Sequence, residues 1–308
     1  MIADRLSHLP RRKHRDLKRA LQILFEEFED FQKNKTTDKA KRGRIVKMIL
    51  YGSYARGGWV ENRSSGYFSD YDLLIVVDHE SLVEESEIWD AVRDRIAQDI
   101  FLKPTFYPEV SFIIHSYADL NDQLARGRPF FADIAREGIV LYEATGYPLA
   151  TAGLLTPEVR REEEWLHFDT WFAGAENRFF LARVAIAHGM TKEAAFELHQ
   201  VAEQLYHCTM LVLTLYSPKL HALRRLRRMA EGLDLRLVEA WPRRTHMERK
   251  PFNLLHDAYV KARYSRHYAI TRDELDWLVE RLTVLQRIVS DICTERLGPQ
   301  PPSVSPDQ

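Results

Sequence analysis

Residues 49–78 read ILYGSYARGGWVENRSSGYFSDYDLLIVVD, and this stretch decides the fold of the first half of the chain. Its first apolar residues lead into a turn at Gly52 and Ser53. A polar, glycine-rich loop follows, and a second apolar run comes directly after Asp70 and Asp72. Two short apolar runs separated by polar, glycine-rich sequence predict two strands joined by a loop.

The two aspartates have the spacing of neighbours on one face of a strand. Side chains alternate along a strand, so Asp70 and Asp72 point the same way and Tyr71 points the opposite way. Two carboxylates about 7 Å apart on one face are suitable ligands for a hard cation, Mg²⁺ or Mn²⁺. The backbone N–H groups and the hydroxyl at Gly52 and Ser53 would suit the outer phosphates of a nucleoside triphosphate.

The residues of this region that form a recognisable pattern are Gly52-Ser53, Ala55-Arg56-Gly57 and Ser69-Asp70-Tyr71-Asp72-Leu73. The pattern resembles the nucleotidyltransferase fold of the DNA polymerase beta superfamily, whose signature is Gly-Ser, a spacer and then Asp-x-Asp. The resemblance implies an α+β domain with a small mixed sheet and helices. It implies Mg²⁺ or Mn²⁺ as cofactor, bound by Asp70 and Asp72, and ATP or another nucleoside triphosphate as substrate. Gly52 and Ser53 would bind the phosphates, with Arg56 as a charge clamp.

The superfamily also needs a third carboxylate, on a neighbouring strand, to hold the catalytic cation and activate the acceptor hydroxyl. Residues 106–114 predict that strand, and Glu109 is its acidic residue. Glu109 and Ser111 would share one face. We therefore expect Glu109 to be the third metal ligand. If Ser111 holds the position of the usual aspartate instead, catalytic competence is in doubt.

The composition of the chain excludes several classes of protein. The chain has 308 residues, of which 45% are hydrophobic and 29% charged, with a formal net charge of −1. These values are ordinary for a globular protein of about two domains and argue against a globally basic nucleic-acid binder. No apolar run is long enough to span a bilayer, and the two cysteines, Cys208 and Cys293, lie in apolar helical patterns. A cytoplasmic protein with no membrane partner is expected.

The periodicity of apolar residues changes near residue 150. Strand patterns and helical patterns mix in residues 1–150, the predicted nucleotidyltransferase domain with its N-terminal helix. Residues 155–297 predict an all-α bundle, and the Pro- and Ser-rich residues 298–308 predict a disordered tail. Within the bundle, Pro218 and Pro251 are expected to begin helices, and Thr271 with Glu274 predicts a capping box.

Three stretches of the helical half form a second recognisable set: residues 196–203 (FELHQVAE), Tyr216-Ser217-Pro218 with His221, and residues 258–264 (AYVKARY). They resemble the HEPN domain, a helical bundle found with minimal nucleotidyltransferases in prokaryotes. The resemblance covers about residues 158–295. The order of the two halves is similar to that of proteins in which a nucleotidyltransferase is fused to a HEPN domain.

The candidate site of the helical half consists of His199, Glu203, His221, Arg263 and His267. Ribonucleases with the HEPN fold use an arginine, four to six residues and then a histidine as acid or base. Arg263 and His267 have three intervening residues, which is one too few, and we expect no ribonuclease activity. His199, Glu203 and His207 recur every four residues, which is a metal-ligand spacing, but a polar network or a phosphate contact is favoured over a metal.

The combined prediction is an enzyme that transfers a nucleoside monophosphate, AMP from ATP, onto an acceptor hydroxyl. The acceptor classes are a small molecule such as an aminoglycoside, a protein tyrosine, or an RNA end. A homodimer through the helical domain is compatible with the resemblance. One alternative is a toxin–antitoxin-type regulatory module in which the nucleotidyltransferase modifies a HEPN tyrosine, here Tyr268. The other is a nucleotide-binding protein that has lost catalysis.

Overall fold

The computed structural model of the protein describes residues 6–34, 43–62, 64, 67–101 and 109–299. The chain divides into two compact units. The first consists of Met1–Asn62 and Phe68–Leu154, and the second of Arg63–Tyr67 and Leu155–Gln308. The predicted tail from residue 300 onward and the predicted strand residues 106–108 lie outside the described residues.

The chain up to Leu154 alternates helices with short strands. In chain order they are α1 (Arg11–Asn34), β1 (Ile45–Tyr51), α2 (Gly52–Arg56), β2 (Glu61–Asn62), β3 (Tyr67–Phe68), β4 (Tyr71–Val77), α3 (Glu80–Val83), α4 (Ser86–Phe101), β5 (Val110–Ser116), α5 (Tyr117–Ala125), α6 (Pro129–Glu137) and β6 (Ile139–Glu143).

A four-stranded mixed sheet forms the centre of the first unit. The strand order is β5-β4-β1-β6. Strand β1 is antiparallel to β4 and β6, whereas β4 is parallel to β5. The predicted α+β layout with a small mixed sheet is therefore present. Because β1 runs directly into α2, the Gly-Ser turn lies at the end of a central strand.

One face of this sheet packs on α1 and α4. Its core includes Leu50 and Leu73 of the sheet, Leu24 of α1 and Trp89 of α4, all of them buried. Tyr71 belongs to the same core and is fully buried. Alternation along β4 then places Asp72 on the opposite face, as predicted.

The strand that follows the third acidic candidate, Glu109, begins one residue after it. Strand β5 starts at Val110, so Glu109 directly precedes it and is exposed. Strand β4 likewise starts at Tyr71, one residue after Asp70. Both acidic residues therefore lie at strand entrances, where the backbone leaves the regular ladder.

The second unit is helical. It contains α7 (Pro157–Ala187), α8 (Thr191–Thr214), α9 (Leu223–Leu233), a 3₁₀ helix (Leu235–Ala240), α10 (His246–Tyr264) and α11 (Arg272–Leu297). Helix α8 packs against the four other α-helices of the unit. Its apolar residues Leu198, Val201 and Leu205 are fully buried, so α8 is the central helix of the bundle.

Two predicted helix starts in this unit are wrong. Helix α9 begins at Leu223 rather than Pro218, because the Ser217 hydroxyl is hydrogen-bonded to Nδ1 of His207 (2.6 Å) and caps no helix. Helix α10 begins at His246, with a capping box between Thr245 and Glu248, and contains Pro251 in its second turn. The predicted capping box of Thr271 with Glu274 at the start of α11 is confirmed.

In the part of the chain that the structure describes, none of the helices combines the length and the apolar character needed to cross a bilayer.

Candidate functional site

The turn between β1 and α2 lies directly against the second aspartate. Tyr51, the last residue of β1, is the register partner of Asp72 on β4. Gly52 follows with φ of 73°, a conformation that favours glycine. A β-carbon built on Gly52 would overlap Oδ2 of Asp72 and would lie 3.3 Å from its Cγ. Position 52 therefore has two independent requirements for glycine, one of backbone conformation and one of space.

The two aspartates flank a tyrosine that fixes their direction. The hydroxyl of buried Tyr71 donates a hydrogen bond to Oδ2 of Asp16 on α1 (3.2 Å). With Tyr71 held in the core, Asp72 lies on the opposite side of the strand. Asp70 directly precedes the strand, and both aspartates are half-buried. At the base of the preceding loop, Val60 donates its N–H to the Ser69 hydroxyl (2.9 Å). The approach of the chain to Asp70 is thus fixed by hydrogen bonds.

The Gly-Ser turn is held by core contacts of residues that the sequence analysis did not identify. The Tyr54 ring is fully buried and lies 4.4 Å from the Tyr71 ring, centre to centre. Lys13 of α1 donates to the Tyr54 hydroxyl (3.1 Å) and is ion-paired with Glu61. Burial, and then the charge of Glu61, raises the pKa of Tyr54, which keeps its hydroxyl protonated. These contacts make the turn a rigid part of the core.

The other two residues assigned to phosphate binding lie on α2. Ser53 is half-buried, and its carbonyl accepts the N–H of Gly58 (3.0 Å). Arg56 is in the last turn of α2 and is exposed. Both therefore belong to the same short segment as Gly52, on the solvent side of the Tyr54 anchor.

Strand β5 brings a serine, not an acid, next to Asp72. Ser111 is the register partner of Asp72 and is 8% exposed. The carbonyl of Glu109 accepts the N–H of Tyr71 (2.9 Å), which places Glu109 beside the start of β4. No group of three or more His, Cys, Asp or Glu side chains among the described residues is close enough to hold a metal ion. The third-ligand role of Glu109 stays a prediction.

Four of the five residues predicted for the helical half come together. Glu203 of α8 is buried, and its Oε1 is 3.0 Å from Nδ1 of His221. Its Oε2 is 3.7 Å from Nδ1 of His199, which is fully buried. The ring of Tyr259 on α10 stacks on His221, at 4.6 Å between centres, and the Arg263 guanidinium lies 4.5 Å from the centre of the same ring.

The fifth residue, His267, is not part of this cluster. Helix α10 ends at Tyr264, and His267 lies in the following turn, exposed, with its N–H donated to the Ser265 hydroxyl (3.2 Å). Arg263 and His267 would lie on one face only if a single helix contained both residues. Because α10 ends at Tyr264, they are not on one continuous helix. The Nε of Arg263 donates to the carbonyl of Tyr259 (2.7 Å).

The two histidines of α8, His199 and His207, have the surroundings of buried core residues rather than those of metal ligands. Nδ1 of His207 is hydrogen-bonded to the Ser217 hydroxyl, and its ring packs on Trp171 (4.9 Å). Burial lowers the pKa of His207 to about 4 and that of His199 to about 3. Both are neutral at physiological pH. Burial also raises the pKa of Glu203, against the opposing effect of its bond to His221.

Comparison with known proteins bears on the second unit. The family model of the HEPN domain matches residues 168–292, which include His199, Glu203, His221 and Arg263. The match does not extend into the first unit. A search of curated proteins found no significant match to the chain. Residues 168–292 of the second unit are thus similar to the HEPN domain.

Proposed function

We propose that the first unit is a nucleotidyltransferase that transfers a nucleoside monophosphate, AMP from ATP, to an acceptor hydroxyl. The observation that carries this proposal is the contact between Gly52 and Asp72. A glycine with positive φ at the end of one strand leaves space for the carboxylate of the neighbouring strand. That arrangement suits a phosphate-bound cation between a backbone turn and an aspartate pair.

The residues of the turn and the strand have distinct roles in this proposal. Asp70 and Asp72 would hold Mg²⁺ or Mn²⁺, which supplies charge neutralisation for the phosphate oxygens. Gly52 and Ser53 orient the outer phosphates, and Arg56 adds a positive charge at the solvent side. Because these groups come from adjacent strands and a rigid turn, they contribute mainly positioning.

The transfer has a simple balance of bonds. The acceptor oxygen attacks the α-phosphorus, the bond from that phosphorus to the bridging oxygen of the β-phosphate breaks, and pyrophosphate leaves. Glu109, beside the start of β4, is the candidate that takes the acceptor's proton. The acceptor classes are a small molecule, a protein tyrosine or an RNA end.

The test is binding of ATP in the presence of Mg²⁺ by the full chain and by two single variants. Asp72→Asn should lose the Mg²⁺-dependent part of ATP binding. Asp90→Asn, which changes an exposed acid on α4 paired with Arg93, should retain it. Equal Mg²⁺-dependent ATP binding by both variants would show that the aspartate pair does not belong to the ATP site.

The regulatory alternative requires an accessible tyrosine as the target of modification. Tyr268 is 6% exposed, and its hydroxyl donates to the carbonyl of Leu254 (3.0 Å). Burial raises the pKa of Tyr268, so its oxygen is a poor nucleophile as well as an inaccessible one. Self-modification at Tyr268 is therefore disfavoured relative to transfer to a separate acceptor.

A further inference from the structure

Asp72, which the proposed reaction uses, has a neighbour on each side across the sheet. Tyr51 of β1 is its antiparallel register partner, and Ser111 of β5 is its parallel one. Register partners lie on one face of a sheet, and in an antiparallel pair their β-carbons are about 4.5 to 5.5 Å apart. The Tyr51 side chain therefore leaves the sheet beside Asp72, on the same face. The proposed reaction gives this tyrosine no role.

Tyr51 belongs to an aromatic pair. The ring of Phe130, in the first turn of α6, meets the Tyr51 ring edge to face, with centres 5.6 Å apart and planes at 82°. Phe130 in turn contacts the ring of Phe131 at 5.2 Å, and Phe131 is 2% exposed. Tyr51 and Phe130 are both half-buried. The pair is thus joined to the core through Phe131 and keeps part of its own aromatic surface open to solvent.

The position of Phe130 is set at both ends of its helix. Pro129 occupies the first position of α6, where its fixed φ favours a helix start. At the other end, Gly138 comes so close to β1 that a β-carbon there would lie 2.5 Å from Cγ2 of Ile49. Ile49 and Tyr51 share one face of β1, since side chains alternate along a strand. Helix α6 therefore packs on the face of β1 that carries Tyr51, and the aromatic pair is a fixed part of the fold.

The side of Asp72 on which the pair lies distinguishes the acceptor from the base of the nucleotide. The acceptor hydroxyl has to approach the candidate proton acceptor, Glu109, which directly precedes β5. Tyr51 flanks Asp72 from the opposite side, on β1, and directly precedes the Gly-Ser turn assigned to the phosphates. An aromatic surface that adjoins a phosphate site suits the flat, weakly polar part of a nucleotide, which is the base.

We propose that Tyr51 and Phe130 form the subsite for the nucleobase of the triphosphate. This inference rests on the proposed nucleotidyltransferase reaction and adds a binding determinant that the Gly-Ser and Asp-x-Asp residues do not supply. Aromatic rings stack on the π-face of any base, so the subsite recognises the base by its flat surface rather than by a pattern of hydrogen bonds. Loss of one such ring should weaken nucleotide binding about tenfold or more.

The test compares ATP with inorganic tripolyphosphate, which has the phosphates and no base. Each ligand is titrated calorimetrically into the full chain with Mg²⁺ and without an acceptor. We expect the parent to bind ATP about tenfold or more tightly than tripolyphosphate. Tyr51→Leu and Phe130→Leu should each lower the affinity for ATP to about that for tripolyphosphate, while the affinity for tripolyphosphate stays that of the parent.

Two controls isolate the contribution of the ring. Tyr51→Phe keeps the ring and should bind ATP as the parent does. Tyr147→Leu removes a half-buried tyrosine of the same unit, from an edge-to-face pair with Tyr117 at 5.1 Å, and should leave both affinities unchanged. Retained tripolyphosphate binding in the leucine variants also shows that they are folded, so a loss confined to ATP has no origin in unfolding.

The outcomes separate this subsite from the proposed reaction. Equal affinities of the parent for ATP and tripolyphosphate would overturn the subsite and leave the phosphate site in place. Unchanged ATP affinity in both leucine variants would also overturn it, and loss of transfer in those variants would then assign the rings to the acceptor. Equal losses of both ligands would show that the rings only support the turn. If the parent binds neither ligand with Mg²⁺, the proposed reaction itself is refuted, and the subsite with it.

Discussion

The α-carbon of Gly52 lies so close to Asp72 that a β-carbon at position 52 would overlap the carboxylate oxygen Oδ2. The register pair of Tyr51 with Asp72 causes this approach, because the chain leaves β1 directly beside that aspartate. The contact links the Gly-Ser turn and the Asp-x-Asp strand in space, although Asp72 comes 19 positions after Ser53 in the sequence. It is the structural basis of the first two predictions.

Gly52→Ala should weaken Mg²⁺–ATP binding about tenfold or more, because it adds both backbone strain and a clash with Asp72. Two neighbouring glycines separate these causes. Gly57→Ala introduces strain alone, since Gly57 has φ of 80° and its nearest atom would be 3.9 Å away. Gly58→Ala introduces neither. Calorimetry on the four proteins should give a loss for Gly52→Ala that exceeds the loss for Gly57→Ala, and none for Gly58→Ala.

Ser53→Ala removes one hydroxyl and leaves the turn's backbone unchanged. We expect a smaller loss of ATP affinity than for Gly52→Ala, of about 1 kcal/mol. The same titration measures it. Negligible effects of both substitutions on ATP affinity would mean that the turn does not contact phosphate.

The stability of the helical unit should fall as the pH is lowered from about 6.5 toward 4. The pKa of His199 is lowered to about 3 and that of His207 to about 4 from 6.5, so below pH 6.5 the unfolded chain takes up protons that the folded chain does not. At about pH 4.5 each of these two histidines would then lower the free energy of unfolding by about 2 to 3 kcal/mol. Glu203 opposes this trend, because its pKa is raised and the folded state gains a proton first.

Thermal melts of the full chain from about pH 7.5 to about pH 4.5 measure this dependence of stability on pH. His207→Gln should reduce the slope of melting temperature against pH, whereas His188→Gln, at an exposed position, should leave it unchanged. An identical slope in the parent and His207→Gln would show that His207 is not buried in its neutral form.

The full chain should not cleave RNA in the absence of metal, and His267→Ala should change nothing in this assay. His267 lies beyond the end of α10 while Arg263 is engaged with Tyr259, so the two do not form an acid–base pair on one helix. A gel assay of labelled RNA with EDTA present tests this. Robust cleavage that disappears in His267→Ala would favour the toxin–antitoxin alternative.

The sequence predicted those parts of the fold that depend on local patterns. The strand–turn–strand around Gly52, the opposite orientations of Tyr71 and Asp72 and the capping box at Thr271 all follow from alternation, glycine or a short capping motif. The start of α9 was not predictable in this way. Serine is a common helix-capping residue, but the Ser217 hydroxyl is hydrogen-bonded to the ring of His207 instead of capping a helix.

The candidate sites show the same division. The proximity of Gly52 and Asp72 follows from their order along two paired strands. The register of β5, which brings Ser111 rather than Glu109 opposite Asp72, depends on how a parallel strand is placed after a helix. The stack of Arg263, Tyr259 and His221 joins residues up to 42 positions apart, by their numbers, and no sequence period marks it.

The proposed reaction is tested by transfer of label from ATP labelled in its α-phosphate, with Mg²⁺, to pools of aminoglycosides, protein and RNA. Release of pyrophosphate and Mg²⁺-dependent ATP binding are followed in parallel for the parent chain, Asp72→Asn and Asp90→Asn. We expect ATP binding and label transfer by the parent and by Asp90→Asn, and loss of both by Asp72→Asn. Absence of Mg²⁺-dependent ATP binding in the parent, or unchanged transfer by Asp72→Asn, would contradict the proposed reaction.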